Sequence, residues 1–111
     1  RIFRKSILTS WYGTRKPISQ LMRCVDLRIV NKLGLHARAS SKFIQVARQF
    51  RCNIEIGVRD GELVDAKGIL NLLTLAAGKG TVLTLRVNGE DEDDALEALK
   101  SIVADRFGEA E

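Results

Sequence analysis

His36 is the only histidine in the chain, and it lies in an unusual local setting, NKLGLHARAS, residues 31–40. Gly34 precedes it by two positions, Arg38 follows it by two, and a helical pattern begins immediately afterwards. A helix start presents unpaired backbone N–H groups and a partial positive charge, which together bind phosphate. An arginine alongside adds donors that match phosphate oxygens. These residues point to phosphoryl chemistry, in which the imidazole attacks phosphorus and nearby donors hold the phosphohistidine.

Other roles for His36 have less support. A surface histidine without a role is the usual interpretation, but the glycine, the arginine and the helix start argue against it. No carboxylate or nucleophile lies near it in sequence, which argues against a hydrolytic triad. General acid–base catalysis on a small substrate stays open, although no pocket-forming motif supports it. The segment GKG, 78–80, is too short to be a phosphate loop by itself.

Three segments, 24–30, 52–58 and 81–87, have the alternating apolar pattern of half-buried strands. The segment ELVDA, 62–66, is predicted to be a short returning strand. The tripeptide RDG, 59–61, predicts a hairpin between the second and third strands, and Asn88-Gly89 predicts a turn after the fourth.

Three segments have helical spacing. The first runs from about Arg38 to Phe50, the second is the very apolar stretch 68–80, and the third follows the acidic run EDEDD, 90–94, which suits a helix start. The order β-α-β-β-α-β-α predicts an α+β two-layer sandwich, a four-stranded antiparallel sheet with three helices on one face. The predicted inward-facing residues are Val25, Leu27, Ile29, Ala39, Phe43, Val46, Ala47, Phe50, Leu83, Leu85, Val87, Ala95, Leu96, Leu99, Ile102 and Val103.

Charge is unevenly spread along the 111 residues, whose formal net charge is +4. Residues 1–21 hold five basic residues and no acid, which leaves 13 basic and 14 acidic residues in 22–111. The second segment is therefore nearly neutral, and nothing in it predicts nucleic-acid binding. We expect 22–111 to be the domain and 1–21 to be a poorly ordered extension. Its composition resembles a transit peptide, and a basic arm that contacts nucleic acid or a membrane is a second interpretation, but we favour a segment foreign to the mature protein.

The cysteines and the hydropathy exclude several classes of protein. Cys24 and Cys52 allow one disulfide, but two reduced thiols in a cytosolic protein are the simpler interpretation. Neither cysteine has a second cysteine or a histidine at ligand spacing, so no metal site is predicted. No apolar run approaches the roughly 20 residues that span a bilayer, so no membrane insertion is expected.

The motif GLHARAS, followed by an amphipathic helix and by DAKGILNLLTLAAGKG from residue 65, resembles the HPr family. These are phosphocarrier proteins of the bacterial phosphoenolpyruvate phosphotransferase system, and the resemblance covers about residues 23–108. It implies an open-faced β-sandwich and phosphorylation of His36 on its δ nitrogen by enzyme I. Transfer to the A domain of an enzyme II or a related regulator would follow. Arg38 would stabilise the phosphate, and the resemblance implies a cytoplasmic monomer without a cofactor.

The resemblance also implies a docking surface for these partners. It would include Ser41 and Gln45 on the first helix and Ile69, Leu70 and Leu73 on the second. Independently of the resemblance, the second helix has apolar residues on more sides than a small core can bury. Those left exposed would form an apolar patch, which is what a binding face requires.

Two positions depart from the family pattern. Ala39 replaces the usual proline, which gives up some pre-organisation but adds a backbone N–H that could meet the phosphate. We expect the change to be tolerated. Gly68 stands where many members have a regulatory serine, so serine phosphorylation at that position is not expected. The rival hypothesis is a non-catalytic regulatory module that binds partners through the same apolar face.

Overall fold

A computed structural model describes residues 22–111, and the expectations for residues 1–21 lie outside that range. The predicted α+β architecture is confirmed: a four-stranded antiparallel sheet carries three helices, as an open-faced β-sandwich does. A short 3₁₀ turn, Arg106–Gly108, follows the last helix. The elements are β1 (Arg23–Arg28), α1 (Ala37–Ala47), β2 (Asn53–Val58), β3 (Val64–Asp65), α2 (Ile69–Thr74), β4 (Val82–Asn88) and α3 (Glu92–Ala104).

The sheet has the strand order β1-β4-β2-β3, so β4 and β2 are its inner strands. Leu85 of β4 is paired with Val25 of β1 on one side and with Ile56 of β2 on the other. The alternation predicted for β4 is confirmed, because Leu83, Leu85 and Val87 are all buried. The intervening Arg86 is half-buried, and its Nε donates to Glu55 Oε1 at 2.8 Å across the strand pair.

The core lies between one face of this sheet and the helices. Most residues predicted to face inward are buried in it, and Val25, Leu27, Val46, Phe50 and Ile102 are partly buried at its margin. The largest side chains that are fully buried are Phe43, Phe107, Ile29, Ile54, Ile56, Leu72, Leu83, Leu85 and Leu99.

The predicted extent of α1 was wrong at its C-terminal end, since the helix stops at Ala47 and not at Phe50. Two tight turn bonds, from Gln49 N to Val46 O and from Phe50 N to Ala47 O, replace the helical pattern there. Phe50 is nevertheless half-buried against the core. Phe50 therefore fits the apolar pattern because its side chain packs against the core, and not because its backbone is helical.

The short helix predicted within 68–80 is present, but its predicted extent was too long, because α2 contains only six residues. The chain leaves the helix at Ala76, which has a positive φ of 50°. Beyond it the carbonyl of Ala77 accepts a hydrogen bond from Leu35 N at 2.9 Å, and Gly80 N donates to Ile29 O at 2.8 Å. The second half of this apolar segment thus holds the loop that carries His36.

The acidic run starts α3 as predicted, but Glu92 is completely buried. Its Oε1 accepts from Gly89 N at 2.9 Å and from Met22 N at 2.8 Å, so it joins the turn after β4 to the residue before β1. The two cysteines are free thiols, with Cys24 exposed and Cys52 buried. Burial, reinforced by a hydrogen bond to Asp91, raises the pKa of Cys52 to about 12, which keeps this thiol protonated and inert.

Candidate functional site

His36 is the residue that caps the N-terminus of α1. Its carbonyl accepts the first intrahelical hydrogen bond, from Ser40 N at 2.8 Å, so the amides of residues 37–39 precede the regular helical bonding. The imidazole makes no capping hydrogen bond, and its side chain is 28 % exposed. The predicted placement of the histidine at a helix start is therefore correct, and its ring does not cap that helix.

Gly34 fixes the approach of this loop to the segment after α2. Its φ is +68°, and a Cβ built on it would lie 2.4 Å from Ala77 O and 2.7 Å from Gly78 Cα. The same Ala77 carbonyl accepts from Leu35 N, the residue before the histidine. Only glycine combines this left-handed backbone with so close a contact.

Asn31 joins the loop before α1 to Glu109 by hydrogen bonds, and the sequence analysis did not identify it. The residue is completely buried, and its Nδ2 donates to Gly34 O at 2.9 Å and to Glu109 Oε1 at 3.0 Å. Its Oδ1 is buried without a hydrogen-bond partner among residues 22–111. A buried, unpaired acceptor is unfavourable, so the two bonds made by Nδ2 must outweigh it.

The C-terminal tail, residues 105–111, folds over the loop, and nothing in the sequence predicted this. Phe107 is buried, and its carbonyl accepts from Lys42 Nζ of α1 at 3.0 Å. Lys32 N donates to Glu111 O at 2.6 Å. Between these two anchors, Oε2 of Glu109 is hydrogen-bonded to Nε2 of His36.

Glu109 is held as a carboxylate. The hydrogen bond from Asn31 lowers its pKa most, against the opposing effect of desolvation, and His36 and the positive charge of Arg38 lower the pKa further. An ionised carboxylate only accepts hydrogen bonds, so Nε2 of His36 is the donor in this contact. The ring's other nitrogen, Nδ1, has no hydrogen-bond partner in the described part of the chain.

Arg38 lies one helical position beyond the start of α1 and is exposed. Its guanidinium forms no hydrogen bond or ion pair with any residue in 22–111. An open cleft beside it is lined by Lys32, Leu33, Arg38, Lys42 and residues 108–111. Ala39, in the first turn of α1, is completely buried in the core.

The residues predicted for the docking surface are found on α1 and α2. On α2, Leu70 is 73 % exposed, and Ile69 and Leu73 are also exposed. On α1, Gln45 is exposed and Ser41 is half-buried. Leu33, 67 % exposed in the loop before His36, is an additional apolar candidate. It was missed because the loop has no periodicity that separates inward from outward positions.

Gly68 lies immediately before α2 as its capping residue. No cluster of three or more potential metal-ligating side chains occurs within residues 22–111. Over the same range, no helix is long and apolar enough to cross a membrane.

Comparisons with known proteins agree on one family. Residues 25–105 match the family described as "PTS HPr component phosphorylation site". The Phosphocarrier protein HPr of Pseudomonas aeruginosa is 47 % identical over 90 residues, which cover 81 % of this chain and 100 % of that protein. That of Cupriavidus necator is 49 % identical over 86 residues, covering 78 % and 96 % respectively. The solved structure of HPr-C-His from Thermoanaerobacter tengcongensis superposes with a TM-score of 0.76 and 36 % identity, over 80 % of this chain and 99 % of that one.

Proposed function

Because this chain belongs to the HPr family of phosphocarrier proteins, we propose that His36 accepts a phosphoryl group from enzyme I. It then passes that group to the A domain of an enzyme II or to a related regulator. The protein is a phosphoryl carrier between partners and not an enzyme that turns over a substrate alone. The observation that carries this proposal is the placement of His36 at the N-terminus of α1, half-exposed and two positions before Arg38, which pairs with no residue in 22–111.

The transfer needs one bond to form and one to break. The lone pair of Nδ1 attacks phosphorus, and the bond between phosphorus and the donor's own phosphorylated group breaks with its electron pair leaving on the donor. The phosphoryl group arrives as a dianion, and the helix dipole and the guanidinium of Arg38 stabilise that charge. Lys32 and Lys42 line the same cleft as Arg38, together with the carboxylates of Glu109 and Glu111.

The proposal is tested by incubating the protein with phosphoenolpyruvate and enzyme I. We expect one phosphate per chain, labile in acid and stable in base, that disappears when an enzyme II A domain is added. A chain that binds enzyme I through its apolar surface but takes up no phosphate would support the second candidate, a non-catalytic regulatory module. The exposure of Leu70 and Leu73 is the observation that favours this candidate.

Arg38→Ala should slow phosphoryl uptake without abolishing it. The variant loses the charge-assisted partner of the phosphate, while the N–H groups at the start of α1 remain. A loss of about ten-fold in the initial rate with enzyme I corresponds to the lower end of what such a partner contributes. Arg59→Ala is the matched control, because Arg59 is also exposed but lies in the hairpin after β2. Equal rates for the two variants would remove Arg38 from the mechanism.

Leu70→Glu should weaken binding to enzyme I while leaving the fold almost unchanged. The side chain is 73 % exposed, so little apolar burial is lost on folding. A buried charge at an apolar interface should reduce affinity by roughly ten-fold or more. Val58→Glu, at the exposed end of β2, controls for the added charge. Calorimetric titration gives the affinity and thermal denaturation the stability. A large fall in melting temperature with affinity retained would place Leu70 in the core.

Further features of the proposal follow from the family. We infer a cytoplasmic protein that works as a monomer without a cofactor, and residues 22–111 as the unit sufficient for phosphoryl transfer. Ala39 is accepted in place of proline because it lies in the core as an ordinary helical residue. Gly68 has no hydroxyl, so the protein is not controlled by phosphorylation of a serine at the start of α2.

A further inference from the structure

We propose that Glu109 is a positioning residue for His36: its carboxylate holds the proton on Nε2 and so leaves the Nδ1 lone pair free for phosphorus. The inference rests on the proposed function, since it concerns the same transfer. It arises from the contact between Oε2 of Glu109 and Nε2 of His36, which joins the C-terminal tail to the loop before α1.

A neutral imidazole carries its single proton on either ring nitrogen. Only the tautomer with the proton on Nε2 presents a lone pair at Nδ1, and the other tautomer cannot attack phosphorus from that atom. A carboxylate that accepts from one ring nitrogen fixes the tautomer and orients the ring. Glu109 contacts Nε2, whereas Nδ1 has no partner within residues 22–111.

The carboxylate is itself held in place on several sides. Oε1 of Glu109 accepts from Nδ2 of the fully buried Asn31 at 3.0 Å, and this amide group also binds Gly34 O. Nε of Arg106 donates to the backbone carbonyl of Glu109 at 3.3 Å. The side chain of Glu109 is only 14 % exposed, which limits competition from water for the imidazole. A mobile surface carboxylate would have neither this support nor this shielding.

The contact between Glu109 and His36 also stabilises the ring during the transfer step. As Nδ1 forms its bond to phosphorus, the ring gains positive character, and its proton stays on Nε2. The negative charge of Glu109 stabilises that ring and sits on the nitrogen away from the one that takes the phosphoryl group. No proton has to leave the ring before the attack, and the electron pair of the broken bond remains with the donor.

The test uses the single histidine of the chain, which gives one set of imidazole nitrogen signals in NMR. In ¹⁵N-labelled wild-type protein at alkaline pH, where an imidazole is neutral, we expect the proton on Nε2 and slow exchange of that proton. Glu109→Ala should speed the exchange and raise the population of the δ-protonated tautomer. It should also lower the initial rate of phosphoryl uptake by about ten-fold.

Two further variants separate positioning from docking of the tail. Glu109→Gln keeps the size of the side chain but removes its charge, so its effects should lie between those of wild type and Glu109→Ala. Glu97→Ala removes an exposed carboxylate of α3 that pairs with Lys100, outside this cleft, and should behave as wild type. Wild-type protein that accepts no phosphate would overturn the proposed function. Phosphate uptake by wild type together with an unchanged tautomer and exchange rate in Glu109→Ala would overturn only the role of Glu109.

Discussion

His36→Ala is expected to take up no phosphate from enzyme I while keeping the fold. His36 is the only imidazole in the chain, and its half-exposed side chain lies outside the buried core. Removal of the acceptor atom eliminates the transfer altogether, whereas loss of a stabilising neighbour only slows it. Phosphate incorporation is measured with phosphoenolpyruvate and catalytic amounts of enzyme I, and circular dichroism reports the fold.

His36→Gln is the matched variant for the structural role of the ring. A glutamine amide can donate to Glu109 as the imidazole does, so the C-terminal tail should stay in place. This variant should also take up no phosphate, which separates loss of the acceptor from displacement of the tail. Acid-labile phosphate on either variant at the wild-type level would identify another acceptor and exclude His36.

Gly34→Ala is expected to lower both stability and the rate of phosphoryl uptake. The substitution imposes a left-handed conformation on a residue with a Cβ, and that Cβ would meet Ala77 O at 2.4 Å. Because backbone atoms must shift, we expect a loss of about 2–4 kcal/mol in the free energy of unfolding. That corresponds to a melting temperature lower by roughly 10 °C or more. The shift would also displace His36 from the start of α1.

Two other glycines separate the contributions to that loss. Gly80 has a φ of +89°, but its added Cβ would meet nothing within 4 Å, so Gly80→Ala should show the cost of the backbone conformation alone. Gly78→Ala has neither a positive φ nor a contact and should be nearly neutral. Urea denaturation of the three variants gives the free energies. A Gly34→Ala loss no larger than that of Gly80→Ala would refute the role of the Ala77 contact.

The sequence predicted those parts of the fold in which buried residues recur at the regular spacing of a strand or a helix. β4 is an inner strand, so Leu83, Leu85 and Val87 alternate strictly with half-buried residues, and the pattern gave the strand within one residue at each end. The first turn of α1 was predictable for a similar reason, since the apolar spacing starts there. The helical spacing of apolar residues cannot locate a helix end at which an apolar residue continues the pattern into a turn, as Phe50 does.

The placement of His36 and Arg38 at a helix start was predictable because the two residues lie two positions apart and flank the first residue of α1. The groups that contact the imidazole or its loop from elsewhere in the fold were not. Glu109 is 73 positions away, and it reaches the ring only because residues 106 and 107 have positive φ values that turn the chain back after α3. Asn31 is nearer, but a buried asparagine inside a loop has the same sequence appearance as an exposed one. Long-range polar contacts of this kind carry no local signal.

The most direct measurement is NMR detection of phosphorus on the histidine ring after reaction with phosphoenolpyruvate and enzyme I. In ¹⁵N-labelled protein, a carrier with His36 as acceptor should show ³¹P coupled to Nδ1 of its one imidazole, at one phosphorus per chain. The coupling should vanish when an enzyme II A domain removes the phosphoryl group. Phosphate found on a hydroxyl group or on Nε2, or an imidazole spectrum unchanged by the reaction, would contradict the assignment of His36 Nδ1 as the acceptor.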